Sequence, residues 1–107
     1  MTEPGKGRLG ASLVSAIFKT PLERERDFYR RYRELSGLIG ESPDNMIVLV
    51  LRGELNLERG EYERAKTDFE RALELARDLD EAKGWLLMEQ VMRDRALYGL
   101  KLAEREL

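Results

Sequence analysis

The stretch from Met46 to Leu79, MIVLVLRGELNLERGEYERAKTDFERALELARDL, decides the fold. In its second half Tyr62, Ala65, Phe69, Ala72 and Leu73 follow at steps of three, four, three and one, which is a single face of an α-helix. Gly60 stands just before that face, where a first helix ends and a second begins. Gly53 and Ala65 are small enough for two backbones to approach closely, and Tyr62 and Phe69 fill the space beside them with large, low-entropy side chains. The stretch therefore reads as two helices folded against each other. The run Ile47 to Leu51 would also suit a buried strand, but the capping residues before it and the continuation to Arg59 select a helix. Six consecutive apolar residues from Met46 to Leu51 exceed what one helix face needs, as expected of a helix with neighbours on two sides.

Working outward, Thr20-Pro21-Leu22-Glu23 combines an N-cap hydroxyl, a Pro at the first helical position and a Glu three residues after the cap, a capping box. A long helix starts there, with Phe28, Tyr32, Leu35, Leu38 and Ile39 as its apolar stripe and Gly40 expected to end it in a left-handed conformation. Glu41-Ser42-Pro43-Asp44 is expected to restart the chain, with Ser42 as cap and Pro43 at the first helical position. A last helix is expected from Asp80-Glu81 towards Leu107, apolar on most sides and uncovered around Leu86, Leu97 and Leu100. Residues 1–10, with three Gly and a Pro, read as a flexible lead-in, and 11–107 as one domain. Leu9, Leu13, Val14, Ile17 and Phe18 make residues 9–18 a short amphipathic helix. It docks on the protein's own core or, alternatively, lies on a bilayer surface or a partner. It is too short to span a membrane.

The hairpin's residues resemble the tetratricopeptide repeat (TPR), a 34-residue helical hairpin, over one repeat at 46–79. Counting back one period sets Phe28, Leu35, Leu38 and Ile39 in the places of Tyr62, Phe69, Ala72 and Leu73, a degenerate preceding repeat with Arg31 where Ala is expected. Other departures are Leu49 for Trp, Arg52 for Leu, Asn56 for Tyr and Arg77 for Pro. The resemblance implies an all-α fold of TPR-like antiparallel hairpins stacked as a short solenoid. It also implies protein binding, since the family's groove is lined from its first helices. Carried onto this sequence, that groove is Ile47, Val50, Glu54 and Leu57, with Met88 and Val91 from the last helix, while Glu81 and Gly84 hold the two remaining groove positions there. The surface is apolar with an acidic rim, suited to an amphipathic or apolar segment of a partner.

Composition narrows the alternatives. The 107 residues are 42% hydrophobic and 37% charged, a balance that suits a strongly helical folded domain and argues against disorder. With no Cys, disulfides, thiolate metal sites and cysteine nucleophiles are excluded; with no His, the commonest general base and metal ligand is missing. No phosphate-binding Gly loop occurs, and Glu54 and Glu58 share a helix face without a facing cluster. The reading is a non-enzyme with no cofactor, no metal and no small-molecule substrate.

Charge bears on partners. Residues 1–40 carry eight Lys/Arg against five Asp/Glu and the remainder eleven against sixteen, so the two parts are +3 and −5. The Arg residues at 24, 26, 30, 31 and 33 are interleaved with acids, Asp27 standing one turn before Arg31, so nucleic acid is not expected as a partner. The expected partner is another protein or a second copy of this chain, the role that of a small adaptor or complex subunit, and the location cytoplasmic or peripheral to a membrane. Self-association as a structural protein is the alternative.

Overall fold

The computed structural model of the chain describes residues 19–82 and 87–107, all-helical with no strand among them. The expected lead-in, the amphipathic segment 9–18, and Gly84, Trp85 and Leu86 lie outside those residues. Four helices follow in order: α1 (Pro21–Glu41), α2 (Met46–Glu58), α3 (Tyr62–Ala82) and α4 (Leu87–Arg105). The chain takes helix where a strand was the competing reading of Ile47 to Leu51.

The helix ends follow from local chemistry. Thr20 caps α1 through the expected box, its hydroxyl accepting from the Glu23 amide at 3.2 Å while the Glu23 carboxylate accepts from the Thr20 amide at 3.3 Å. Gly40 does not end α1. The helix continues to Glu41, and the Ser42 amide donates to the Leu38 carbonyl. Ser42 does not cap α2 either. Ser42 to Asn45 close a turn, with Asn45 N–H donating to the Ser42 carbonyl at 3.1 Å and Pro43 at its second position. Asn45 then caps α2, its side-chain oxygen accepting from Ile47 and Val48. Between α2 and α3 the chain forms a Schellman turn. Gly60 sits at φ 79°, its amide donates to Leu57, and the Glu61 amide reaches back to Asn56 at 2.8 Å.

The expected break at residues 79–80 is absent, because α3 runs on to Ala82. Asp80 and Glu81 are tolerated inside a helix, and the sequence holds no Pro or Gly before Gly84 to stop it.

Helices α2, α3 and α4 pack mutually, while α1 packs on α2. Their core gathers Met46, Leu49, Val50, Ala65, Phe69, Ala72, Leu75, Ala76, Met92, Ala96 and Ala103. Phe69 is its centre. A Cβ placed on Gly53 of α2 would lie 2.7 Å from the Phe69 ring, and one on Gly99 of α4 would lie 2.6 Å from its Cε2 and nearer still to Cζ. The ring thus lies in a slot walled by two glycines, which lets three helices close on one aromatic side chain. Helix α1 is held differently. Of its apolar stripe Phe28 is buried, Tyr32, Leu35 and Ile39 are half-buried, and Leu38 is exposed.

Polar contacts bind α1 to the rest. Arg52 grips Asp68 of α3 with two bonds of 2.9 and 2.7 Å, donates to Ser36 of α1 at 3.1 Å, and lies over the Tyr32 ring. Asn56 adds a third donor to Asp68 at 3.1 Å. Arg52 and Asn56 are two of the departures from the TPR pattern, and their side chains meet on one carboxylate. Hydrogen bonding to Asp68 raises the Arg52 pKa further above its ordinary value. At the other end of α1, Arg59 bonds Glu25 and covers the Phe28 ring. Asp27 pairs with Lys19 and Arg30, not with Arg31.

Candidate functional site

Helices α2 and α4 diverge from their shared core to leave an open cleft of about 660 Å³. Leu57 forms part of its α2 wall, and Val91, Tyr98 and Leu102 part of its α4 wall, with Gly99 between them. These last three residues fall on one helix face, at steps of seven and four. Acidic groups edge the cleft: Glu54 and Glu58 on one side, Asp94 on the other. One cation among the lining residues answers them. Arg95 reaches across from α4 and holds the Glu54 carboxylate with two of its nitrogens, the Nε bond being 2.9 Å. That bond raises the Arg95 pKa above its ordinary value. With Glu54 neutralised, Glu58 and Asp94 leave the rim negative.

The cleft opens onto an apolar stripe. Leu87 is 77% exposed, Met88 57%, Val91 44% and Tyr98 66%, all on α4. Isolated exposed apolar residues are ordinary on protein surfaces, but Leu87, Met88 and Val91 gather within the first turns of α4, and Tyr98 follows on the same side two turns on, beyond Asp94 and Arg95. Leu97, expected in an uncovered patch, is exposed on a different side of α4, and Leu100 packs against the core.

The six residues expected to bind a partner are distributed unequally. Glu54, Leu57 and Val91 come together in the cleft. Met88 lies at the exposed head of the α4 stripe. Ile47 packs partly against the core, and Val50 is 0% exposed, wholly enclosed among core side chains, so it cannot touch a partner in this arrangement. The reason is that α2, α3 and α4 pack mutually and Val50 belongs to the core that all three build. Of the other last-helix groove positions, Glu81 belongs to α3 and Gly84 lies outside the described residues.

Sequence reasoning did not assign Tyr98, Gly99, Leu102 or Arg95. A signal existed for Gly99: a glycine inside a helix costs about 1 kcal/mol against alanine, so its presence points to a close approach. Counting forward from Val91 by seven and eleven gives Tyr98 and Leu102.

Two further hollows are smaller and more polar. One of about 490 Å³ lies over Tyr32, Arg52, Asn56 and Asp68, and one of about 310 Å³ beside Lys19, Phe28 and Arg59. Among the described residues no group of three acidic side chains gathers as a metal site would, and no helix is long and apolar enough to cross a membrane. No protein-family model matches this chain, and comparison with curated proteins and with solved structures gives no match.

Proposed function

We propose that this chain is a protein-interaction module, a small TPR-like adaptor or complex subunit of the cytoplasm that holds an apolar or amphipathic helix in the cleft between α2 and α4. One observation carries the reading: the uncovered row Leu87, Met88, Val91 and Tyr98 borders a cleft that is apolar inside and negative at its rim. A helix with an apolar stripe and flanking Lys or Arg satisfies both features, its side chains replacing water over the α4 row and its cations meeting Glu58 and Asp94.

The TPR-like part of the reading draws support from the α2–α3 hairpin, its Schellman turn, and the small residue Gly53 set against Phe69. Helix α4 enters the stack out of the 34-residue period. Gly99 meets the same Phe69 ring as Gly53 and stands 46 positions after it.

The test is a titration with an amphipathic helical peptide carrying flanking lysines, beside an acidic peptide of the same apolar pattern and a scrambled one. The reading expects the basic peptide to bind best and Val91→Glu to abolish binding without loss of helicity. Equal binding of all three peptides, or none by any, removes it.

A further inference from the structure

We propose that the cleft and the α4 row are built to receive α4 of a second copy, antiparallel about a two-fold axis between Asp94 and Arg95. This rests on the protein-binding reading of the site and names its occupant. In an antiparallel helix pair about that axis, residue numbers facing each other share one sum. Val91 then faces Tyr98 of the second copy, Leu87 faces Leu102, Met88 faces the Lys101 stem, and Asp94 faces Arg95. Two of these pairs set apolar against apolar, the central one sets acid against base on both sides of the axis, and Met88 meets only the aliphatic stem of Lys101, which is the self-complementarity a two-fold interface demands. An unrelated helix would need none of this internal symmetry.

The charges are available for it. The Asp94 side chain is 78% exposed, and among the described residues its one cationic neighbour within 4 Å is Arg93, at 3.9 Å. Arg95 uses Nε and one terminal nitrogen on Glu54, while its other terminal nitrogen meets, among the described residues, nothing stronger than the Met92 sulfur at 3.6 Å. That edge of the guanidinium is free to take the second copy's Asp94. Lys101 of the second copy brings its ammonium to the same negative surface while its stem covers Met88.

Size sets the strength. A helix of this length runs about 28 Å, and two adjacent helices are about 20 Å across, so each copy contributes roughly 560 Å². A standard stable interface needs about 800 Å² per partner. The pair is therefore weak and concentration-dependent, a micromolar association and not a permanent dimer.

The full chain has no Cys, so single substitutions report the register cleanly. Leu87→Cys and Leu102→Cys chains, mixed and mildly oxidised, should form the mixed disulfide in large excess over either homodimer. Sedimentation of the unaltered chain should show its mass rising from one copy towards two between low-micromolar and millimolar concentration, and Val91→Glu should hold it at one with circular dichroism unchanged. A single mass throughout overturns the proposal, as does self-crosslinking of Leu87→Cys as efficient as the mixed reaction. If the chain stays monomeric yet binds the basic peptide in a Val91-dependent way, the second copy is excluded and the protein-binding reading stands. If the mixed disulfide forms and no peptide binds, self-association is the function of the cleft.

Discussion

Gly99→Ala tests the glycine-walled slot directly, because two opposed effects are worked from the same substitution. Alanine is the better helix former, by about 0.8–1.0 kcal/mol at an interior position. Against that gain, the new methyl would stand 2.6 Å from Cε2 of Phe69 and 2.9 Å from its Cε1, where ordinary contact begins near 3.4 Å. The ring cannot slide away, since Gly53 walls its other side with as little room. Overpacking of this kind costs typically 1–3 kcal/mol, and an overlap this deep belongs at the upper end. The net expectation is a loss of about 2 kcal/mol, a fall in melting temperature of roughly 8–16 °C at 4–8 °C per kcal/mol for a domain of this size. Thermal and urea unfolding followed by circular dichroism measure it. Gly37→Ala is the internal control: it lies in α1 with nothing within 4 Å of the new methyl, so it should stabilise by about 0.5–1 kcal/mol. Phe69→Leu should relieve the clash, so that Gly99→Ala costs clearly less in that background. If Gly99→Ala stabilises as Gly37→Ala does, or costs the same with Leu at 69, the slot is not what holds α4.

Other expectations follow from the same contacts. Phe69→Ala should lower stability by about 3–5 kcal/mol in urea unfolding, since the emptied slot is walled by backbone that cannot collapse into it. Asp68→Asn leaves the Arg52 guanidinium without its carboxylate and should cost about 3 kcal/mol by the same measurement. Asn45→Ala removes the cap that serves two amides of α2 and should cost about 1 kcal/mol. The hydrogen bond from Lys19 holds the Asp27 carboxyl below its ordinary value, so the stabilisation it gives is present above the unfolded-state pKa and is lost as pH falls through the lower folded one. Lys19→Met should return the Asp27 titration, read by nuclear magnetic resonance, towards the ordinary carboxylate range.

Much of the fold was legible because helical period and capping act locally. Ala65, Phe69 and Ala72 announce their common face by spacing alone, and Thr20 to Glu23 specify their box within four residues. What was hidden depends on a third helix. The run Met46 to Leu51 shows that α2 is buried on more than one side, but no local rule states which of its residues the other helices enclose, so Val50 read as groove as readily as core. The imported 34-residue period erred where the chain departs from it, placing a break at 79–80 inside α3. Two caps were displaced for a related reason. Ser42 and Gly40 have the right chemistry for helix ends, yet the turn from Ser42 to Asn45 intervenes, and it is Asn45, next to the apolar run, that accepts from the amides that begin α2.

Helix α4 keeps mainly small side chains inward and carries several large apolar ones among its exposed polar residues, and that placement bears on function. Inward it presents Ala96, Gly99 and Ala103, with Met92 as its one large fully buried residue and Leu100 packed partly against the core. Those small residues are demanded by the fold, because the Phe69 ring occupies the space that larger ones would need. Outward it presents Leu87, Met88, Val91 and Tyr98, which the core does not demand, since it closes without them. Exposed polar residues at the same four positions would keep α4 helical, leave the slot intact and avoid apolar surface in water. Their being large and apolar, beside a cleft with an acidic rim, therefore supports a role outside the fold. The bond from Arg95 to Glu54 has the same character. It ties the two walls of the cleft at its edge, fixing their separation where an incoming helix would have to fit.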